Sequence, residues 1–238
     1  MSEAEEMSRL LEQLAAHLED AWQMQERNLP QYQTLCWPSR LPLMKMKTHA
    51  YSVPDYGNVL TMSTSAMGGL MNLATVVCTL NQGGRVPLLL IDAMKMKKKR
   101  ALFVEYYDCT GAGVVSPELQ SAAMKYQELP SYAEKPAWYV GERMPESLIK
   151  GGSDDARLKQ MAFDSIDAYA RLCIRCRPGA DTAANREGLS RFIERMVKEG
   201  NPASASLTRV LGKQQAEIFF RTAVMPAVYQ SIREDEKR

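Results

Sequence analysis

Apolar residues set a helical rhythm at the start of the chain. Met7, Leu10, Leu11, Leu14, Leu18 and Trp22 recur at spacings of three and four, the pattern of one buried helical face. An amphipathic helix is predicted from Glu3 to about Arg27. A loop punctuated by Pro30, Pro38 and Pro42 follows, and then the rhythm changes. Five apolar segments succeed one another near Met44–Val53, Val59–Ala66, Gly69–Leu80, Pro87–Met94 and Arg100–Tyr107. Their lengths and short gaps suit strands better than helices. The connectors Pro54-Asp55-Tyr56-Gly57-Asn58 and Gln82-Gly83-Gly84 carry the proline and glycine of tight turns. Turns that short join antiparallel neighbours, so the segments are expected to form a meander.

Beyond Ser116 the helical period returns, first from Pro117 to about Gln127. A second helix is expected from Ala156 to Cys176, striped by Leu158, Met161, Ala162, Ile166, Tyr169, Ala170 and Cys173. Asn185–Lys198 and Leu207–Ile232 complete the set, with Pro226 kinking or ending the last helix. Helices before and after one continuous strand block imply helical layers on both faces of a sheet. The expected fold class is α/β: a three-layer α-β-α sandwich around a central antiparallel meander, formed as one domain over residues 1–238.

Composition narrows the function classes. The chain is 45% hydrophobic and 24% charged, which suffices for a sizeable core without metal or disulfide staples. Five cysteines form an odd set, so reduced thiols in a reducing compartment are expected. The chain starts acidic, Met1-Ser-Glu-Ala-Glu-Glu, and has no apolar run near the roughly 18 residues of a membrane span. A cytoplasmic protein outside the membrane is the expectation. With a formal net charge of +2, nucleic-acid binding would need a local patch. The one candidate, Lys95-Met-Lys97-Lys98-Lys99-Arg100, reads either as a solvated hairpin tip or as a dock for an anion. It lacks the interleaved aromatics that stack on bases, and no nucleic-acid partner is expected.

Few residues invite chemistry. Asp92 lies in Pro87-Leu-Leu-Leu-Ile-Asp92, where alternation puts it on the face of Leu88 and Leu90. It is either a strand-end aspartate bonded to a turn or a desolvated carboxyl whose pKa is raised enough to donate protons near neutrality. Cys173-x-x-Cys176 falls inside a helical pattern without a second cysteine pair, which fits a core and a surface cysteine better than a redox or metal pair. His17 and His49 are too few for a catalytic triad or a three-histidine metal site. No phosphate-cradling glycine motif follows a strand, and Gly111-Ala-Gly113 is too short to serve.

Three stretches between Tyr51 and Phe220 resemble one family. Tyr51-Ser-Val-Pro54-Asp-Tyr56 is similar to a hairpin of the form Tyr-x-x-Pro-x-Phe. Val86-Pro87-Leu-Leu-Leu-Ile-Asp92, with its neighbour ending Tyr106-Tyr107-Asp108, is similar to a Leu-Pro-x-x-x-x-Asp strand. Asn201-Pro202-Ala203-Ser-Ala-Ser-Leu207-Thr208-Arg209-Val-Leu-Gly212 is similar, at conserved spacing, to Asp-Pro-Ala-Arg-x-x-Leu-Thr-Arg-x-x-Gly. Together they resemble the ferredoxin-dependent bilin reductases, the family of phycocyanobilin and phytochromobilin:ferredoxin oxidoreductases, with this chain as a divergent member.

The resemblance implies an antiparallel sheet between helices, a bilin held between the sheet and the C-terminal helices, and no metal or flavin bound by the protein itself. It also implies single electrons from a reduced ferredoxin or flavodoxin, a small acidic partner, and protons from pocket acids. Carried over by position, the strand aspartate is Asp92, and the helix-side aspartate is Asn201, an amide that orients but does not donate as an acid. The histidine and glutamate of the phycocyanobilin-forming branch fall on Leu60 and Met62, and its next-strand histidine on Thr75, so four-electron chemistry is not expected. The arginine after Pro-Ala falls on Ser204, leaving Arg209 or the Lys95–Arg100 run to meet a propionate. The implied site has Asp92 and Asn201 as its catalytic pair and Met62, Thr75, Ser204 and Arg209 against the substrate. The implied activity is two-electron reduction of a linear tetrapyrrole such as biliverdin. Binding without turnover is the alternative, and a nucleic-acid adaptor built on Lys95–Arg100 is a third.

Overall fold

A computed structural model of the chain describes residues 3–38, 43–80, 86–96, 99–111, 113–176, 182–201 and 203–226. The amphipathic N-terminal helix α1 covers Glu3–Ala21. Three short pieces follow: β1 (Gln25–Glu26), α2 (Pro30–Gln33) and β2 (Thr34–Trp37). The body of the sheet is β3 (Met44–Val53), β4 (Gly57–Ala66), β5 (Met71–Thr79), β6 (Leu88–Met96) and β7 (Lys99–Tyr107). Helix α3 (Pro117–Met124) and strand β8 (Leu148–Gly151) lead into the long helix α4 (Asp155–Arg175). The chain continues through α5 (Thr182–Lys198), α6 (Ser204–Leu211) and α7 (Lys213–Phe219), which runs on as a π-helical turn over Phe220–Val224.

The eight strands form one antiparallel sheet in the order β1-β3-β4-β5-β6-β7-β8, with β2 also paired to β3. The five-strand meander is the one expected from the sequence. Period-two alternation sorts its side chains: along β3, Met44, Met46, Thr48 and Ala50 are buried while Lys45, Lys47 and His49 are exposed. One face carries Val76, Ile91 and Val104 into a core shared with α1, α3 and α4. The other carries Leu60, Val77 and Leu90 into a core shared with α5, α6 and α7. Helix starts are capped as their residues dictate. The Ser116 hydroxyl accepts from Leu119 N ahead of Pro117, and Asp154 accepts from Arg157 N.

Several expectations need correction. The first helix stops at Ala21, not Arg27; Arg27 is instead buried, its guanidinium donating to the Thr222 carbonyl at 2.8 Å. The proline-punctuated loop contains β1, α2 and β2, and β8 was not foreseen. Segments of two to four residues are too short to show a period. The final helical stretch begins at Ser204 and is broken at Gly212, whose φ of 76° interrupts the helical path. It ends by Val224, ahead of Pro226, and residues from 227 onward lie outside those described. The Gln82–Gly84 turn and Lys97–Lys98 also lie outside them. The basic run is not one solvated tip. Lys95 turns onto the α1 face and bonds Glu6 at 2.6 Å, and Arg100 meets Asp155 at 2.7 Å. Among the described residues no helix is long and apolar enough to cross a membrane.

Candidate active site on the sheet

The register places Thr48, Met62, Thr75, Asp92 and Phe103 side by side in one row across five strands. All point to the face covered by α5–α7, as the alternation of Leu88, Leu90 and Asp92 requires. Asp92 is mid-strand, since β6 runs on to Met96. The turn-bonded reading is therefore set aside. Its carboxylate accepts a hydrogen bond of 2.5 Å from the Thr75 hydroxyl directly opposite. Burial pushes the Asp92 carboxyl up to about 6, against the opposing pull of that hydroxyl. Asp92, Phe103, Leu73 and Met94 are only half-buried, so the helices do not seal this part of the face.

Methionine dominates the surroundings. Met44, Met46, Met62, Met71, Met94 and Met96 all sit on the Asp92 face of β3–β6. Unbranched, polarizable thioethers conform to flat apolar surfaces and pack well against π-systems. Met62, expected against the substrate in place of an acid, lies in this floor.

A second acid escaped that reading. Glu105 on β7 lies opposite Leu90, one diagonal step from Asp92 on the same face, and is only 2% exposed. It accepts from the Tyr107 hydroxyl at 2.9 Å and from Arg143. Arg143 also holds Glu134 through two bonds of 2.6 and 2.8 Å and lies over the Tyr139 ring. Burial pushes Glu105 up to about 7; the Arg143 charge opposes the rise, and the nearby Asp92 charge adds to it. The signal was present: Glu105 is the one carboxylate in Ala101-Leu-Phe-Val-Glu-Tyr-Tyr, alternating with Phe103 and Tyr107. The segment carrying Arg143 walls this end of the site. Trp138 donates to the Gly200 carbonyl at 2.9 Å and packs on Phe192, with Arg195 above its ring.

The remaining expected residues lie elsewhere. Asn201 stands at the α5–α6 junction with both ends of its amide engaged, Nδ2 donating to the Met196 carbonyl and Oδ1 accepting from Ala203 N. The Ser204 hydroxyl accepts from Asn201 N at 2.8 Å. Both residues lock the turn, and neither side chain is bonded into the row of Asp92. Arg209 is exposed and stacks over Trp37 at 5.2 Å, on the β2 edge. That edge is four strands from β6, or about 19 Å across the sheet. Cys173 is buried and Cys176 half-buried; His17 bonds Asp167 and His49 bonds Glu26, each at 2.7 Å. Among the described residues no group of three or more His, Cys, Asp or Glu could hold a metal. An open recess of about 730 Å³, lined by Arg9, Lys45, Lys47 and Asn72, lies on the α1 face of the sheet, on the opposite side from Asp92. Volume there does not mark the chemistry.

The two raised carboxyls fix a sign for the pH dependence of stability. Between about pH 4 and their folded-state values near 6 and 7, the folded protein holds protons that the unfolded chain has released. Their contribution is therefore full below the unfolded pKa and is lost as pH rises through 6 and 7. A pKa difference of one is worth about 1.4 kcal/mol. Asp92→Asn should become more stable relative to the parent as pH rises from 5 to 8, read from urea midpoints. Parallel pH curves for the two proteins would show that Asp92 titrates normally.

Neither a protein-family model nor a curated protein matches the sequence. Among solved structures, the crystal structure of phytochromobilin synthase from tomato in complex with biliverdin is similar. The TM-score is 0.73 over 97% of this chain and 88% of that one, at 10% sequence identity. At that identity the likeness is one of fold.

Proposed function

We propose that the protein is a divergent ferredoxin-dependent bilin reductase, an α-β-α sandwich that holds a linear tetrapyrrole against the α5–α7 face of its sheet. It reduces one double bond with two electrons, delivered singly by a reduced ferredoxin or flavodoxin, and two protons. Asp92 donates to the pigment, held in place by Thr75, while the methionine floor carries the apolar pyrrole rings. The observation that carries this reading is Asp92 itself: a mid-strand carboxyl among apolar side chains, bonded by Thr75 and held near 6 by burial. A general acid with a pKa close to ambient pH is what proton donation needs. The likeness of fold to a biliverdin-bound protein supports the choice of ligand.

Binding without turnover is the second reading. Asn201 favours it, because an amide tied to two backbone groups supplies no proton. Anaerobic titration with biliverdin, followed in the visible and then by addition of reduced ferredoxin, separates the two. A shifted spectrum that moves to shorter wavelength on reduction supports the reductase. A shift that stays put supports a carrier, and no shift removes both.

A further inference from the structure

Reducing one double bond consumes two protons, yet the ligand-facing row holds a single carboxyl, Asp92. After its first donation Asp92 is an anion and must be recharged before it can give again. We propose that Glu105 is the proton store behind Asp92, a carboxyl that returns a proton to it within the catalytic cycle so that one residue delivers both protons. This rests on the reading of the site as a bilin reductase.

The geometry carries the argument. Glu105 and Asp92 are diagonal neighbours on adjacent antiparallel strands and share a face, a separation of roughly 7 Å that side chains or one bridging water span. Glu105 is faced by Asp92 from β6, by the Tyr107 hydroxyl from its own strand, and by Arg143 and Tyr139 from the segment before β8. Helix α5 adds apolar Phe192 against Tyr107. Arg143 is divided between two acids: Nε and Nη2 reach Glu105, while Nη1 and the same Nη2 donate to Glu134. Glu105 and Glu134 thus share one guanidinium, and Asp92, one diagonal step away, adds a third carboxyl with no cation of its own among these contacts, at a site where unpaired charge is costly. Such a cluster retains a proton near neutral pH, and the raised positions of Asp92 and Glu105 agree with that.

The balance is complete. The reduced one-electron carrier supplies two electrons in turn, Asp92 transfers a proton to the pigment after each, and Glu105 transfers its own proton to the Asp92 carboxylate. Solvent then supplies two protons at Glu105, reached past Glu134 at the outer end of the cluster: the first is passed on to Asp92 and the second stays on Glu105, which returns both carboxyls to their starting state.

The test uses Glu105→Gln, which keeps the shape and cannot exchange a proton. Stopped-flow reduction of bound biliverdin should show the first proton-coupled step at the parent rate and the second slowed at least tenfold, with the half-reduced radical accumulating. The alkaline limb of the pH profile should move downward by about one unit, and Glu105→Asp should restore it. A variant with the parent's second step and pH profile, in a protein that does reduce biliverdin, overturns the store and leaves the reductase reading intact. A parent protein that reduces no bilin overturns the reductase reading, and the store falls with it. Should Glu105→Gln not fold, carboxyl NMR titration of the parent decides. Glu105 should titrate near neutrality and move lower in Asp92→Asn; full ionisation from pH 5 to 9 overturns the proposal.

Discussion

Replacing Asp92 with asparagine is expected to leave biliverdin bound and to slow its reduction by roughly 10²- to 10⁴-fold, the usual contribution of a positioned general acid. The change is nearly isosteric, and the Asn carbonyl oxygen still accepts from the Thr75 hydroxyl that now bonds Asp92 at 2.5 Å. Nothing in the methionine floor has to move. Only the exchangeable proton is lost, so the defect should lie in the rate of pigment reduction and not in the binding spectrum. Rapid mixing of the variant–biliverdin complex with reduced ferredoxin reads the rate directly. A loss below about threefold would mean that the protons arrive from elsewhere, and loss of the binding shift would make Asp92 a packing residue.

Gly188→Ala is expected to be a strongly damaging small substitution away from the acids. Helix α5 approaches the segment after β7 so closely that a Cβ at position 188 would lie 1.8 Å from the Cys109 carbonyl oxygen and 2.9 Å from its carbon. Both are backbone atoms, and the segment is pinned. The Asp108 carboxylate accepts from Thr110 N, the Thr110 hydroxyl, Gly113 N and Val114 N. The helix must therefore lift, dragging Leu189 and Phe192 from the core they share with Tyr107. Overpacking of this kind costs about 2–3 kcal/mol, and a chain of this size should lose roughly 5–10 °C in Tm. Because Phe192 packs on Tyr107, whose hydroxyl bonds Glu105, biliverdin binding should weaken as well. A melting curve within a degree or two of the parent would show that the close approach is relieved cheaply.

The long elements were legible because their periods had room to repeat. Six apolar positions at three- and four-residue spacing fixed α1, and alternation fixed β3 to β7. Strands β1, β2 and β8 span two to four residues and exist because β3 and β7 offer them partners, information that no local window contains. The break at Gly212 was visible only as a glycine in an apolar stretch, a weak cue.

The site divides along the same line. Asp92 could be found because a single charge shared a strand face with leucines. Glu105 could not be weighed properly, because its meaning comes from Arg143, 38 positions later, and from the register of β6 against β7. Asn201 shows the converse. Its spacing relative to Gly212 singled it out, but hydrogen bonds to Met196 and Ala203 account for the side chain, a turn role common for asparagine.

The most direct measurement is the mass of the pigment recovered after anaerobic incubation of the protein and biliverdin with excess reduced ferredoxin. Two hydrogens gained per biliverdin, dependent on the protein and abolished in Asp92→Asn, is the expected result. Biliverdin recovered unchanged from a folded, pigment-bound protein would contradict reduction at this site.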